Sequence, residues 1–308
     1  MPSSLRRKFD AWPSVQLTLC ALFWAGNAVA GRLAIDQVSP FQLTFLRWLL
    51  VIAVLWPVYG GQVRAHWGEI WPRRNRIVLM AALGFTGFNA LFYVGAHHTT
   101  AINIGIIQGS IPIFVLAGAF LAHGTKATFL QLAGVLITAA GVVVVATHGE
   151  PLKLLELTVN KGDLAMLTAC VLYSFYTVAL RDRPSMPGAA FFTLLALIAA
   201  VTSLPLLAFE AATTGLAWPT WQGWLITAWV AIFPSCLSQL FYLRGVDLIG
   251  PGRAGVFVNL VPVFAAVLAV VLISEPFLPY HAAALALVIG GIWLAQRSPA
   301  RRTQRGQV

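Results

Sequence analysis

Charge is what this chain has least of. Among its 308 residues there are only 10 Asp or Glu and 20 Lys or Arg, 10% in all, where a soluble domain carries roughly a quarter. A soluble core of this length needs a polar skin, and too few polar residues exist to make one. Disorder is excluded too, because 59% of the residues are hydrophobic and mean hydropathy is +0.80, far too apolar for a solvated chain. Only three cysteines occur, Cys20, Cys170 and Cys236, each inside an apolar run, so no disulfide framework is expected. No Gly-rich loop runs into Lys and Ser/Thr, which argues against an ATP-driven pump. His and Cys spacing suggests no metal site, and no Ser/His/Asp or Cys/His set converges on one depth, so neither a cofactor nor catalysis is expected. The chemistry that remains is that of an all-α polytopic membrane protein.

The positions of the few charges mark out the spans. Between Arg76 and Lys126 there is no charged side chain, room for two membrane helices of about 20 residues each, divided by His97-His98-Thr99-Thr100. Similar gaps, with 40–59 interrupted only by Arg47 and 162–180 added, give ten expected helices: 14–32, 40–59, 77–97, 100–122, 127–146, 162–180, 188–209, 221–243, 253–273 and 279–296. The runs are continuous and do not alternate, unlike barrel strands. The first run lacks a small-residue cleavage pattern and is expected to be a retained helix rather than a signal peptide.

An excess of basic residues fits either nucleic-acid binding or membrane orientation, and loop position decides between them. With both termini cytoplasmic, the inner side collects Arg6, Arg7, Lys8, Arg64, Arg73, Arg74, Arg76, Lys126, Arg181, Arg183, Arg244, Arg253, Arg297, Arg301, Arg302 and Arg305. The outer side holds only Arg32, Lys153 and Lys161. That bias orients a multi-pass protein of the cell inner (plasma) membrane, in contact with lipid, and leaves no role for nucleic acid.

The chain also repeats itself. Leu91-Phe92-Tyr93 matches Leu240-Phe241-Tyr242, Ile111-Pro112-Ile113-Phe114 matches Val261-Pro262-Val263-Phe264, and Ala28-Val29-Ala30-Gly31-Arg32 lies 149 positions before Thr177-Val178-Ala179-Leu180-Arg181. Two five-helix halves are expected, 1–148 and 160–298, followed by a basic tail, 299–308. Five is odd, so the second half enters the membrane inverted, as in transporters that alternate access around a midplane site.

Ten helices in two halves, with Leu22-Phe23-Trp24-Ala25-Gly26-Asn27 in the first, Phe45-Leu46-Arg47-Trp48 in the second, Lys161-Gly162-Asp163-Leu164 opening the sixth and Ser274-Glu275-Pro276 closing the ninth, resemble the EamA-like branch of the drug/metabolite transporter superfamily. No motif is specific alone; their order and spacing, over nearly the whole chain, are. The resemblance implies a carrier of small metabolites, amino acids and related compounds foremost, with the aromatic amino-acid exporters of the YddG type as the narrower expectation and nucleotide-sugar, purine or drug efflux as alternatives on the same fold. One departure stands out. The family commonly ends helix 4 with Gly-Glu, and here that place reads His123-Gly124-Thr125-Lys126, leaving only Glu275 to do whatever that glutamate does in relatives.

Polar side chains inside spans are costly and should face a cavity or a partner helix. Ser235, Ser238, Gln239 and Tyr242 follow i, i+3, i+4, i+7 on one expected face of helix 8, and Asn89, Tyr93 and His97 do the same in helix 3. Tyr173 and Tyr176 in helix 6 answer to Trp24 and Asn27 in helix 1; Gln108 and Asn259 stand just ahead of Pro112 and Pro262. Those prolines kink their helices and remove the donors to the carbonyls of residues 108 and 258, which could then meet a substrate ammonium; packing and interhelical hydrogen bonding are the plainer roles for such residues. Arg47 could bind a substrate carboxylate, snorkel, or pair with an acidic group near the outer surface, the last being favoured. With no carboxylate expected at any helix centre, proton coupling is absent or rests on His97 or His98. The oligomeric state has no signature in the sequence.

Overall fold

The computed structural model describes residues 12–124, 127–150 and 160–297. The basic tail 299–308 and the orienting charges Arg6, Arg7, Lys8, Lys126 and Lys153 lie outside the described residues. Among the described residues, ten helices are long and apolar enough to cross a membrane: α1 (Pro13–Leu33), α2 (Pro40–Ala65), α3 (Trp67–Ala96), α4 (Ala101–His123), α5 (Phe129–Ala146), α6 (Lys161–Asp182), α7 (Gly188–Thr213), α8 (Trp221–Ile249), α9 (Arg253–Ile273) and α10 (Pro279–Gln296). These are the ten expected from the charge gaps, and the regular structure between them is helical throughout. Four run further than the sequence indicates: α2, α3, α7 and α8 carry several polar residues past the expected ends. A charge limits the apolar run, but it does not end a helix whose last turns stand in the interface.

The helix ends follow ordinary capping chemistry. Prolines sit in the first turn of α1, α2 and α10, where a missing N–H costs nothing. Thr100, Thr128, Asn160 and Thr220 accept hydrogen bonds from backbone N–H groups two or three residues on, at 2.7–3.3 Å. Left-handed residues end α4 and α9: Gly124, with φ of 63°, and Ser274, with φ of 53°. Only the glycine adopts that conformation freely.

The helices pair across the halves in a regular way. α2 lies along α7 and α5 along α10, while α1 packs on α8 and α9 just as α6 packs on α3 and α4. The α5–α10 seam is built on small residues. A Cβ at Gly134 would stand 2.4 Å from the Gly291 carbonyl, and one at Gly291 would stand 2.3 Å from Thr138 Oγ1, so the backbones approach as closely as glycine alone permits.

Two pairs of irregularities break the otherwise regular bundle. α3 and α8 each contain a π-turn, Ala82–Gly87 and Ala231–Leu237, and the two begin 149 residues apart. α4 and α9 are each interrupted, at Gly109–Ser110 and at Asn259, just before the turns that carry Pro112 and Pro262. The kinks expected at these prolines are therefore full interruptions of the helix. All four irregular stretches line the central cavity, in keeping with π-turns and broken helices marking functional sites.

Candidate functional site

A cavity of about 180 Å³ lies among α1, α2, α3, α4, α6, α7, α8, α9 and α10. It shares the lining residues Trp24, Pro112, Tyr173, Gln239 and Asn259 with a larger space of about 360 Å³ that reaches Leu180, Arg183, Gly188, Leu243 and Gln296. Those last residues stand at the end of the bundle that carries Arg64, Arg76, Arg181 and Arg297, called here the arginine end. The opposite end, with Glu210 and Glu275, is the carboxylate end. Trp24, Trp48, Phe85, Phe88, Tyr173 and Phe192 form the walls of the inner cavity.

At its base is Arg47, 4% exposed. Its Nε and Nη2 donate to Ser235 Oγ at 3.1 and 2.6 Å, and Nη1 donates to Tyr93 Oη at 2.6 Å and to Asn89 Oδ1. Each acceptor is itself fixed: Tyr93 donates to Asn27 Oδ1 at 3.0 Å, Asn89 to the Phe85 carbonyl at 2.5 Å, and Ser235 to the Val230 carbonyl at 2.6 Å. The guanidinium also lies over the Trp48 ring, 5.1 Å from its centroid. The acidic partner expected for Arg47 is not there. Among the described residues no carboxylate oxygen lies within 4 Å of it, and the acids near the membrane surface are occupied with helix ends instead. A fully buried guanidinium is thus held by neutral hydroxyls and an amide, which satisfy its donors without cancelling its charge. Leaving a buried ion uncompensated costs on the order of several kcal/mol.

Most of the residues singled out in the sequence come together. Trp24, Asn27, Arg47, Asn89, Gln108, Pro112, Tyr173, Ser235, Gln239, Asn259 and Pro262 line the inner cavity, and Tyr176 and Tyr242 line its extension toward the arginine end. Tyr93 stands behind Arg47, 1% exposed, and lines neither space. The continuous polar face expected on α8 is interrupted. The π-turn adds a residue to the turn and rotates Ser238 out of line, so that its hydroxyl meets the Phe233 carbonyl at 2.9 Å and the Cys20 carbonyl of α1 at 3.4 Å. Ser235, Gln239 and Tyr242 remain on the cavity side. His97 lies beyond the last turn of α3, away from the cavity, and burial holds its imidazole below the ordinary histidine range.

The sequence did not single out Trp48, Phe85, Phe88 and Phe192 as cavity residues, although Trp48 sits in the Phe45–Trp48 motif. Polar residues inside an apolar span announce themselves; aromatic wall residues look like any lipid-facing or core phenylalanine. Gly84 was also missed. A Cβ there would come within 2.3 Å of Tyr176 Cβ, so α3 and α6 touch at the cavity edge through a glycine in the π-turn.

The carboxylates of the other end bind helix starts. Glu275 accepts from the backbone N–H groups of Ala101 and Ile102 at 2.9 and 3.2 Å and lies 3.5 Å from Arg32 Nε, while Arg32 also donates to the Ala96 carbonyl at 2.8 Å. Glu210 accepts from Ser39 Oγ and from the N–H groups of Phe41 and Gln42, at 2.5, 3.3 and 3.0 Å. Asp163, 3% exposed, takes hydrogen bonds from Thr99 and Asn103 on one oxygen, and its other oxygen has no hydrogen-bond partner among the described residues.

Ten apolar helices, paired across two halves around an aromatic-walled cavity, form a multi-pass membrane protein, and its family identifies it as a transporter. The sequence profile of the EamA-like transporter family matches residues 12–147 and again residues 160–296, and the chain belongs to that family. It is 24% identical over 294 residues to the "Uncharacterized transporter YetK" of Bacillus subtilis, covering 94% of this chain and 88% of that one. It is 27% identical over 289 residues, 91% and 92% of the two chains, to a Streptantibioticus cattleyicolor protein named "Probable terminal-alkyne amino-acid exporter". A solved crystal structure with 22% identity superposes with a TM-score of 0.60 over 92% of this chain and 96% of the other, a likeness of fold.

Proposed function

We propose that this protein exports small metabolites, large neutral and aromatic amino acids foremost, across the inner membrane by alternating access, with both termini in the cytoplasm. The observation that carries the reading is the cavity: aromatic walls around one buried cation, with an adjoining space lined by residues of the arginine end. On this topology the end that the adjoining space reaches is cytoplasmic, which favours an inward-facing conformation. The twofold profile match, the paired π-turns and the regular cross-pairing of helices support two inverted repeats, 1–148 and 160–298, as the machinery that exchanges the two states. An amino-acid exporter among its relatives favours this substrate class over the others that the fold carries.

The reading makes Glu275 a gating or structural charge and Arg47 part of the binding cavity, with Gln239 and Tyr242 guarding the path. Protein reconstituted in liposomes loaded with radiolabelled phenylalanine or leucine should release them down a gradient without ATP. Gln239→Ala or Tyr242→Ala should slow release several-fold with the protein still folded in the membrane. Strict ATP dependence would defeat the mechanism, and release of nucleosides or cationic dyes in place of amino acids would defeat the substrate class.

A further inference from the structure

The two ends of an amino acid carry opposite charges, and the cavity offers a different partner for each. We propose that the substrate binds as a zwitterion in one orientation, its carboxylate on Arg47 and its ammonium on acceptors of α4 and α9; the assignment rests on the amino-acid reading above and adds to it which groups do the recognising.

The carboxylate side follows from charge and shape. A guanidinium has five N–H donors. Two meet one oxygen, Ser235 Oγ, along the Nε–Nη2 edge, and two meet Asn89 and Tyr93. The fifth has no acceptor among the described residues. The Nε–Nη2 edge is the fork that grips a carboxylate through two parallel hydrogen bonds. Here the neutral Ser235 hydroxyl occupies it, so a carboxylate takes this edge by displacing Ser235 Oγ or starts from the one remaining N–H of Nη2. An incoming carboxylate supplies the countercharge that the protein withholds. Trp48, stacked near the guanidinium, keeps water from that side and leaves the cavity face as the approach.

The ammonium side follows from acceptors without donors. Gln108 Oε1 is buried and has no hydrogen-bond partner, an arrangement that costs about 1–3 kcal/mol if nothing ever fills it. Pro112 and Pro262 have no N–H, so the backbone carbonyls of Gln108 and Val258 lack the donor that a helix normally brings four residues on. Both residues line the cavity with Arg47. An ammonium brings three donors and no acceptor, which is the complement of this set. The apolar side chain is left for the aromatic wall of Phe85, Phe88 and Tyr173. Molecules with one charge satisfy one subsite and leave the other desolvated and unpaired, which disfavours cationic dyes and neutral nucleosides on the same physical ground.

The test uses the full chain in lipid nanodiscs and three probes of nearly equal size. L-phenylalanine has both charges, L-phenylalaninamide lacks the carboxylate, and 3-phenylpropionate lacks the ammonium. Each of the last two should bind the wild-type protein roughly tenfold or more weakly than phenylalanine, the scale expected for losing a charge-assisted hydrogen-bonded partner. Gln108→Leu should weaken phenylalanine and phenylalaninamide and leave 3-phenylpropionate unchanged; Arg47→Gln should weaken phenylalanine and 3-phenylpropionate and leave the amide unchanged. Arg47 ties three helices together and its replacement can unfold the protein, but the wild-type ligand series and Gln108→Leu, which breaks no existing hydrogen bond of that side-chain oxygen, decide the question without it. Equal binding of the three probes, or a Gln108→Leu effect of the same size on all three, overturns the orientation while leaving amino-acid transport standing. Binding of dyes or nucleosides with none of the three probes bound overturns the amino-acid reading and the orientation together.

Discussion

At the carboxylate end of the bundle Asp163, Glu210 and Glu275 are each under a tenth exposed, and Glu210 and Glu275 hold helix starts, whereas at the arginine end the acid that joins helices, Asp182, is about half in solvent. Asp182 lies 2.5 Å from Arg76 Nη2 and 3.9 Å from His123 Nε2, with Arg76 exposed to a similar degree. Glu69, also at that end, accepts from the Ser185 N–H at 3.1 Å in an exposed setting. Exposed pairs of this kind contribute about 0–1 kcal/mol each. A carboxylate that takes two or three backbone or hydroxyl donors away from water contributes more, about 1.5–3 kcal/mol for each charge-assisted bond. The carboxylate end is therefore strongly tied and the arginine end weakly tied. If the protein opens each end in turn, as proposed, this difference biases which state is favoured at rest.

Removing the strong ties should give the largest effect. Glu275→Ala leaves the N–H groups of Ala101 and Ile102 unpaired and Arg32 without its carboxylate, and Glu210→Ala does the same to the start of α2. Each should lower stability by about 2–4 kcal/mol, read as a fall in Tm of the detergent-solubilised protein. If the ties bias the resting state, an Asn27→Cys reporter in a cysteine-free background will also become labelled from the carboxylate side. A variant that melts lower with labelling still confined to the arginine side would mean that these acids stabilise the fold without setting the state.

The ten spans were legible in the sequence because a charge cannot sit in hydrocarbon without a reason, so gaps in charge outline helices even where the helix itself continues further. The polar cavity residues were legible for the same reason: Asn27, Asn89, Gln108, Ser235 and Gln239 are out of place in a span unless something polar faces them. The π-turns were not legible. Nothing in Ala82–Gly87 or Ala231–Leu237 marks an extra residue per turn, and reading through it with a regular period put Ser238 on the wrong face. Partners were the least legible of all. Arg47 looked as if it required an acid, and the neutral groups that hold it come from α3 and α8, 42 to 188 residues away in sequence. Glu210 and Glu275 looked like charges at helix ends, and only the fold shows which helix starts they reach.

Asp163 offers an intermediate case that sharpens the comparison. It is the most deeply buried of the three acids, yet one of its oxygens meets no donor and the other is served by the Thr99 hydroxyl and, at 3.5 Å, by Asn103. Burial alone does not make a strong tie; the count of donors does. Asp163→Asn keeps an acceptor for Thr99 and removes a charge that has few partners, so it should cost about 1 kcal/mol or less, well below Glu275→Ala. A loss equal to that of Glu275→Ala would mean that the unpaired oxygen has a partner in the membrane-embedded protein.

The weak end should hardly notice the loss of its ties. Arg76→Ala or Asp182→Ala should change stability by less than about 0.5 kcal/mol, and the effect should shrink further in high salt, because both side chains are about half exposed. A change as large as that of Glu210→Ala would erase the distinction between the two ends.

His97 gives the smallest effect and tests whether titration at the strong end matters at all. Burial lowers the folded-state pKa of its imidazole, opposed in part by Asp36 and Glu210 and reinforced by His98 and Arg32. The unfolded chain then takes up a proton first as pH falls, from about 6.5 downward, so this histidine's contribution to stability is complete above that pH and is lost as pH drops through the folded-state value. His97→Gln should flatten that part of the stability profile and leave efflux at pH 7 unchanged, since the neutral ring lines no part of the cavity. A variant that transports normally at pH 7 yet loses a proton-driven component would assign the coupling to His97; one that transports normally under every proton gradient leaves the carboxylate ties, and not a titrating histidine, as what the strong end contributes.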